Sequence, residues 1–190
     1  MATQLTPAGR RILDAAAALF YDEGIHAAGV DTIARSAGVT KKTLYDCFGS
    51  KDALIAAYLR ERDERWRDRL TCTVERAGDP RARVLATFDA LGAWMRKENP
   101  RGCAFVNAFA ELPDPRHPGH QVAAAQKTWL LRYLTGLAAD AGVPDPEGLG
   151  RRLLLLHEGA TIAYGTGVLP GAAKEARAAA SVLLGGGAPD

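Results

Sequence analysis

Apolar residues in this chain recur every three or four positions, with polar residues between them, almost from one end to the other. The stretch TPAGRRILDAAAALFYDEG sets Ile12, Ala16, Leu19 and Phe20 on one helical face, with Thr6 as N-cap, Pro7 at the first helical position and Gly24 as the stop. Two short segments follow, at about 30–37 and 40–48. A long helix then opens with Ser50 as N-cap and Asp52 facing the helix dipole, and runs to Gly78 on Leu54, Tyr58, Leu59, Trp66, Leu70 and Val74. Further helices are predicted at about 80–98, 101–112, 119–141, 147–166 and 171–184, separated by the Pro- and Gly-bearing breaks ENPRG, PDPRHPG, GVPDPEG and LPG. No stretch sustains an alternation of period two, so the chain reads as all-α. The run RERDERWRDR reads as a solvated helix face with Glu61–Arg65 and Asp63–Arg67 pairs, and the tail GGGAPD is expected to fray.

The two short segments differ from the rest. Val30, Ile33, Ala34 and Ala37 form one apolar stripe and Val39, Leu44 and Phe48 the next, with Gly38 between them as the residue that permits a left-handed corner. Two short helices joined steeply through a Gly-containing turn make a helix-turn-helix. The second helix keeps Thr40, Lys41, Lys42, Thr43, Tyr45 and Asp46 on its outer face, with Arg35 and Lys51 nearby. Hydroxyls and cations on a protruding helix suit phosphate oxygens and base edges in a major groove. Composition sharpens this point: the formal net charge is only +2, so any nucleic-acid site is a local patch rather than a property of the whole surface.

These residues resemble the TetR family of bacterial transcriptional regulators. The resemblance lies in ILDAAAALFYDEG and DTIARSAGVTKKTLYDCFGSKDALIAAYL, roughly residues 10–59, and the spaced pattern from Ala37 to Leu54 is far more specific than a generic helix-turn-helix. It implies an all-α homodimer with an N-terminal three-helix DNA-binding domain, residues 1–50, and a C-terminal helical sensor and dimerisation bundle, residues 51–190. It further implies a sequence-specific regulator, a repressor, released from an inverted-repeat operator on double-stranded DNA by a small organic ligand. By matching position Thr40, Lys41, Thr43 and Tyr45 lie on the recognition helix and Lys51 meets a phosphate; Lys42 is exposed there too. The chain departs from the family where Ala28 and Gly29 stand in place of a frequent Thr or Ser, and in carrying Asp46 and Cys47 before Phe48. Asp31 or the Gly29 backbone is then left to cap the helix.

The larger part of the chain is less explicit. RGCAFVNAFAEL resembles a segment of some sensor domains of the same family. Phe88, Trp94, Phe105, Phe109, Trp129, Tyr133 and Tyr164 could line a cavity for an apolar or aromatic effector, with Asn107, His157, Glu158 and Thr161 to orient it, or could simply fill the core. The last two helices, with Leu153, Leu154, His157 and Ile162 around Gly159 and Ala160 and the small-residue run AAKEARAAASVLL, suit a four-helix dimer contact. An architectural DNA-binding protein without a sensor is the alternative, but more than half the chain lies outside the reading head.

Enzyme chemistry finds no foothold. His117 and His120, with Cys103 or Glu111, have no fixed helical face across Pro-Gly, so no metal is expected. GTGVLPG lacks the preceding strand and the glycine spacing of a dinucleotide loop, and no cofactor is implied. Three cysteines without C-x-x-C spacing read as reduced thiols, and neither a leader nor a membrane span is legible; a cytoplasmic protein is expected.

Overall fold

A computed structural model describes residues 5–99 and 101–185, and residues 186–190 of the tail lie outside them. Among the described residues there are nine helices and no strand: α1 (Pro7–Asp22), α2 (Val30–Ser36), α3 (Lys41–Phe48), α4 (Lys51–Glu75), α5 (Pro80–Glu98), α6 (Ala104–Glu111), α7 (Pro118–Asp140), α8 (Pro146–Gly165) and α9 (Ala172–Leu183). The starts follow local chemistry. Thr6, Thr40, Ser50, Asp79 and Asp145 each accept a hydrogen bond from a backbone N–H three residues on, which satisfies one of the donors a helix leaves unpaired at its start. Pro follows the cap directly at α1, α5 and α8, where its missing N–H costs nothing.

The chain forms two compact units, residues 1–63 with 104–124 and residues 64–103 with 125–190. In the first, α1 packs on both α2 and α3 and buries Ile12, Ala16 and Phe20 of the expected stripe together with Leu13, while Leu19 is only half-buried. Fully burying a Leu or Ile here stabilises the fold by about 1.5–3 kcal/mol, so Ile33 and Leu44, both fully enclosed, hold the short pair in place although neither helix is long enough to be stable alone. Arg62 and Asp63 correct the expected solvated face: they are only 5% and 8% exposed. The Arg62 guanidinium lies 4.5 Å from the Tyr21 ring centroid, where the cation meets the ring face. Glu61 reaches back to Arg10 of α1 at 2.6 Å.

The second unit has its own core, built from Trp66, Leu70, Phe88, Trp94, Leu130, Leu134, Leu153 and Ala180 among others. α9 packs against both α5 and α8. Here the expected dimer face needs correction. Leu153 and His157 are buried inside the unit, while Leu155 is 71% exposed and Ile162 47%. With exposed Gly159 between them, Leu155 and Ile162 form a stripe at i, i+4, i+7. On α9, Val182 and Leu183 are exposed as well. None of the described helices is long and apolar enough to cross a membrane.

Candidate nucleic-acid interface

The corner between α2 and α3 is closed by backbone geometry. Gly38 takes φ +63°, Val39 N–H donates to the Ala34 carbonyl at 3.0 Å, and Gly38 N–H donates to that of Arg35 at 3.1 Å. The six-to-one bond and the left-handed residue are those of a Schellman stop. A Cβ at Gly38 would meet no atom within 4 Å, so the requirement for glycine is conformational, not one of space. From α1, Arg11 Nε–H donates to the Ala37 carbonyl at 3.2 Å and occupies an acceptor left open at the end of α2.

α3 then presents its polar residues outward. Thr40 is its N-cap: Oγ1 accepts from Thr43 N–H at 3.1 Å and lies 2.8 Å from Thr43 Oγ1. Lys41 and Lys42 sit in the first turn with no acidic residue beside them there, a placement unfavourable to the helix dipole. Acidic neighbours offset it: Lys41 Nζ is 3.1 Å from Asp31, and Lys42 Nζ is 2.7 Å from Asp46. The Asp46 carboxylate, by hydrogen bond and then by charge, holds the Lys42 ammonium above its ordinary value. Both pairs are exposed and weak enough to be exchanged for phosphates. Arg35 and Tyr45 are exposed on the same pair of helices. Lys51 is more withdrawn, its ammonium 5.9 Å from the Phe20 ring centroid. Burial lowers its affinity for the proton, against the opposing charges of Glu111 and Asp52.

The departure at Ala28-Gly29 has a structural reason in part. Ala28 is fully buried, and Gly29 is the N-cap of α2 with no side-chain bond to the helix start. Asp31 lies in the first turn and complements the dipole. Gly29 has extended backbone, and an added Cβ would meet only Thr32 Oγ1, at 4.0 Å. Gly29→Ser is therefore expected to stabilise the protein by about 0.5–1 kcal/mol, from a new cap and a less flexible unfolded chain, measured as an upward shift of the urea midpoint.

The residues considered for an effector do not form one group. Phe105, Asn107 and Phe109 belong to the first unit; Asn107 is exposed and Phe109 meets His120 edge-on, with centroids 4.4 Å apart. In the second unit Trp129 stacks on Tyr133 at 5.1 Å, while Phe88 meets His157 at 4.4 Å and Trp94 meets Trp66 at 5.5 Å with their rings tilted. Thr87 donates to the Val84 carbonyl, so its oxygen accepts Nε2–H of His157 at 3.1 Å. Thr161 donates to the His157 carbonyl, and Tyr164 is half-buried against the core. Glu158 forms an ion pair with Lys127 at 2.7 Å, and the same ammonium lies 3.6 Å from Cys103 Sγ. Sequence reasoning missed Thr87 and Gln126, polar residues whose burial no periodicity announces, and the half-buried Lys127. His117 and His120 serve locally: His117 Nδ1 accepts from Gly119 N–H and its Nε2–H faces Asp52 at 3.3 Å, while His120 Nδ1–H donates to the Leu112 carbonyl.

A glycine-cornered helix pair with an exposed hydroxyl- and lysine-bearing second helix, in an otherwise all-α chain, defines a helix-turn-helix DNA-binding regulator. The comparisons agree. The family model for bacterial regulatory proteins of the tetR family matches residues 12–58. The crystal structure of SCO4454, a TetR-family regulator from Streptomyces coelicolor, is similar over 93% of this chain and 94% of that one, at 36% identity and a TM-score of 0.87. A TetR-type regulator (sav143) from Streptomyces avermitilis is 31% identical over 95% and 98%, with a TM-score of 0.82. The HTH-type transcriptional regulator YjdC of Escherichia coli is 26% identical over 151 residues, 78% of each chain. The chain belongs to the TetR family of transcriptional regulators.

Proposed function

We propose that the protein acts as a homodimeric repressor that leaves an inverted-repeat operator when a small apolar or aromatic effector binds. The observation that carries this reading is the outer face of α3, where Lys41 and Lys42 pair with Asp31 and Asp46, partners that a phosphate backbone can replace, on a surface that also carries Thr40, Thr43 and Tyr45, with Arg35 exposed on α2. Reading is done by residues 1–50, and sensing and dimerisation by residues 51–190. The exposed stripe of Leu155 and Ile162, with Val182 and Leu183, supplies the surface for a second copy. Two copies related by a two-fold axis set their reading helices in successive major grooves, about 34–36 Å apart. The effector is held within residues 88–164, and the protein works in the cytoplasm.

Selection of bound duplexes from a random pool tests this reading. An inverted repeat is expected among the selected sequences, and enrichment of unrelated single half-sites would count against it. On the selected duplex, Lys51→Ala is expected to weaken binding to all sequences alike and to reduce the salt slope by about 1, the signature of one phosphate no longer neutralised. Lys41→Ala is expected to relax preference at particular base pairs, at roughly 1–3 kcal/mol for each base edge that the side chain reads. An unchanged salt slope for Lys51→Ala would remove that residue from the phosphate track.

A further inference from the structure

The turn between α1 and α2 cannot satisfy its own backbone. Gly24 takes φ +99°, and Ala28 N–H donates to the Gly24 carbonyl, but the N–H groups of Ile25 and His26 bond outside the turn. Both are taken by one side chain, Glu111, the last residue of α6. Oε1 accepts from Ile25 N–H at 3.0 Å and Oε2 from His26 N–H at 2.8 Å. The Glu111 carbonyl, one of those a helix leaves open at its end, accepts Nε2–H of the His26 ring at 2.6 Å. One residue thus makes three bonds to a turn 85 or 86 positions earlier in the chain, two of them charge-assisted. The fit is close: a Cβ on Gly24 would stand 3.3 Å from Glu111 Oε2.

This turn leads directly into Gly29, the N-cap of α2, and α2 carries α3 through the Gly38 corner. Whatever fixes Ile25 and His26 therefore fixes the start of α2 against α1, and with it the presentation of α3. The segment 104–124, which contains Glu111, is part of the same compact unit as the helix pair. We propose that Glu111, which lies outside the helix-turn-helix, is a positioning residue for DNA reading, its carboxylate holding the α1–α2 turn in the arrangement that lets α3 enter the groove. This rests on α3 being the reading helix.

Charge and position make opposite forecasts for this residue. Glu111 faces Lys51 and adds negative charge to the DNA-binding unit, so electrostatics alone would have its removal tighten binding to any duplex. Positioning instead requires that selective binding fall. The test measures affinity for the selected inverted repeat and for an unrelated duplex, using the full chain, Glu111→Ala, Glu111→Gln and the control Arg116→Ala. Arg116 is exposed in the adjoining loop, with a bidentate pair to Asp114. Glu111→Gln keeps the size and one good acceptor but turns an amide donor toward a backbone N–H, so it serves where the alanine variant does not fold.

The expected result is a fall of roughly tenfold or more in the ratio of selected to unrelated affinity for both Glu111 variants, and no change for Arg116→Ala. Faster amide exchange at Ile25 and His26, with protection of the α5, α8 and α9 core unaltered, is expected alongside. An unchanged or increased ratio would overturn the proposal. So would a parallel loss on both duplexes that tracks a lower unfolding midpoint, because that is destabilisation without positioning. Failure of the wild-type chain to prefer any duplex would instead remove the reading assigned to α3.

Discussion

Leu155→Asp is expected to leave a folded monomer that binds the selected duplex about 100-fold or more weakly than the wild type. Leu155 is 71% exposed in the isolated chain, so aspartate there is fully hydrated in the monomer and costs its fold little. In a dimer the same position would lie within an apolar contact made with Ile162, Val182 and Leu183 of the same copy, and an unpaired carboxylate would have to be stripped of water. Separating the copies removes the second reading helix, and with it the gain in effective concentration that links the two half-sites. Sedimentation at micromolar concentration gives the mass, duplex titration the affinity, and thermal unfolding the integrity of the monomer. A dimeric mass for both Leu155→Asp and Ile162→Arg would move the interface elsewhere on the molecule.

The second large effect is a loss of stability in acid that one residue governs. His157 is 1% exposed, packed at a tilt against the Phe88 ring and bonded to Thr87. Burial first, and the Lys127 ammonium second, lower its pKa from 6.5 to about 3. The folded protein therefore keeps this ring neutral at a pH where the unfolded chain binds a proton. Stability from this source is complete above about pH 6.5 and declines as the pH falls toward 3, because the unfolded state alone takes up the proton in that window. At about 1.4 kcal/mol per pH unit, the loss between about pH 6.5 and 4.5 is about 2–3 kcal/mol. His157→Leu, which removes the titrating group but fills the space, is expected to flatten that part of the profile. Urea unfolding at closely spaced pH values measures it, and equal slopes for the two proteins would show that other groups govern the acid limb.

The helix-turn-helix was legible because its determinants are local. Thr40 caps a helix that begins one residue later, Gly38 supplies a backbone conformation other residues adopt at a cost, and Ile33, Ala34 and Leu44 bury a stripe only a few residues long. Each signal acts over a short span of chain, so a one-dimensional reading captures it. The resemblance to known regulators rests on those same residues, and the comparisons place the chain in that family. The all-α architecture was legible for a similar reason, since caps, prolines and glycines mark most helix boundaries in the sequence itself.

Tertiary structure alone decided which face of α8 is free. Residues 153–156 are four consecutive leucines and cover every side of the helix, so periodicity could not separate Leu153, enclosed within its unit, from Leu155, exposed to solvent. It also decided that Arg62 and Asp63 are buried in a run of charges that reads as solvated, with the Arg62 guanidinium set over the Tyr21 ring. The effector candidates show the same limit: aromatic content forecast packing, but not that Phe105 and Phe109 join one compact unit and Phe88 and Trp129 the other. Lys127 meets Glu158 and Cys103, and Glu111 meets Ile25 and His26, through bonds that span 24 to 86 residues. The sequence by itself determined the helices, the glycine corner and the polar outer face of α3, since these depend on short-range sterics and hydrogen bonds. Only the fold decided which polar groups are buried together and which apolar stripe is left exposed, because those depend on where distant segments come to rest.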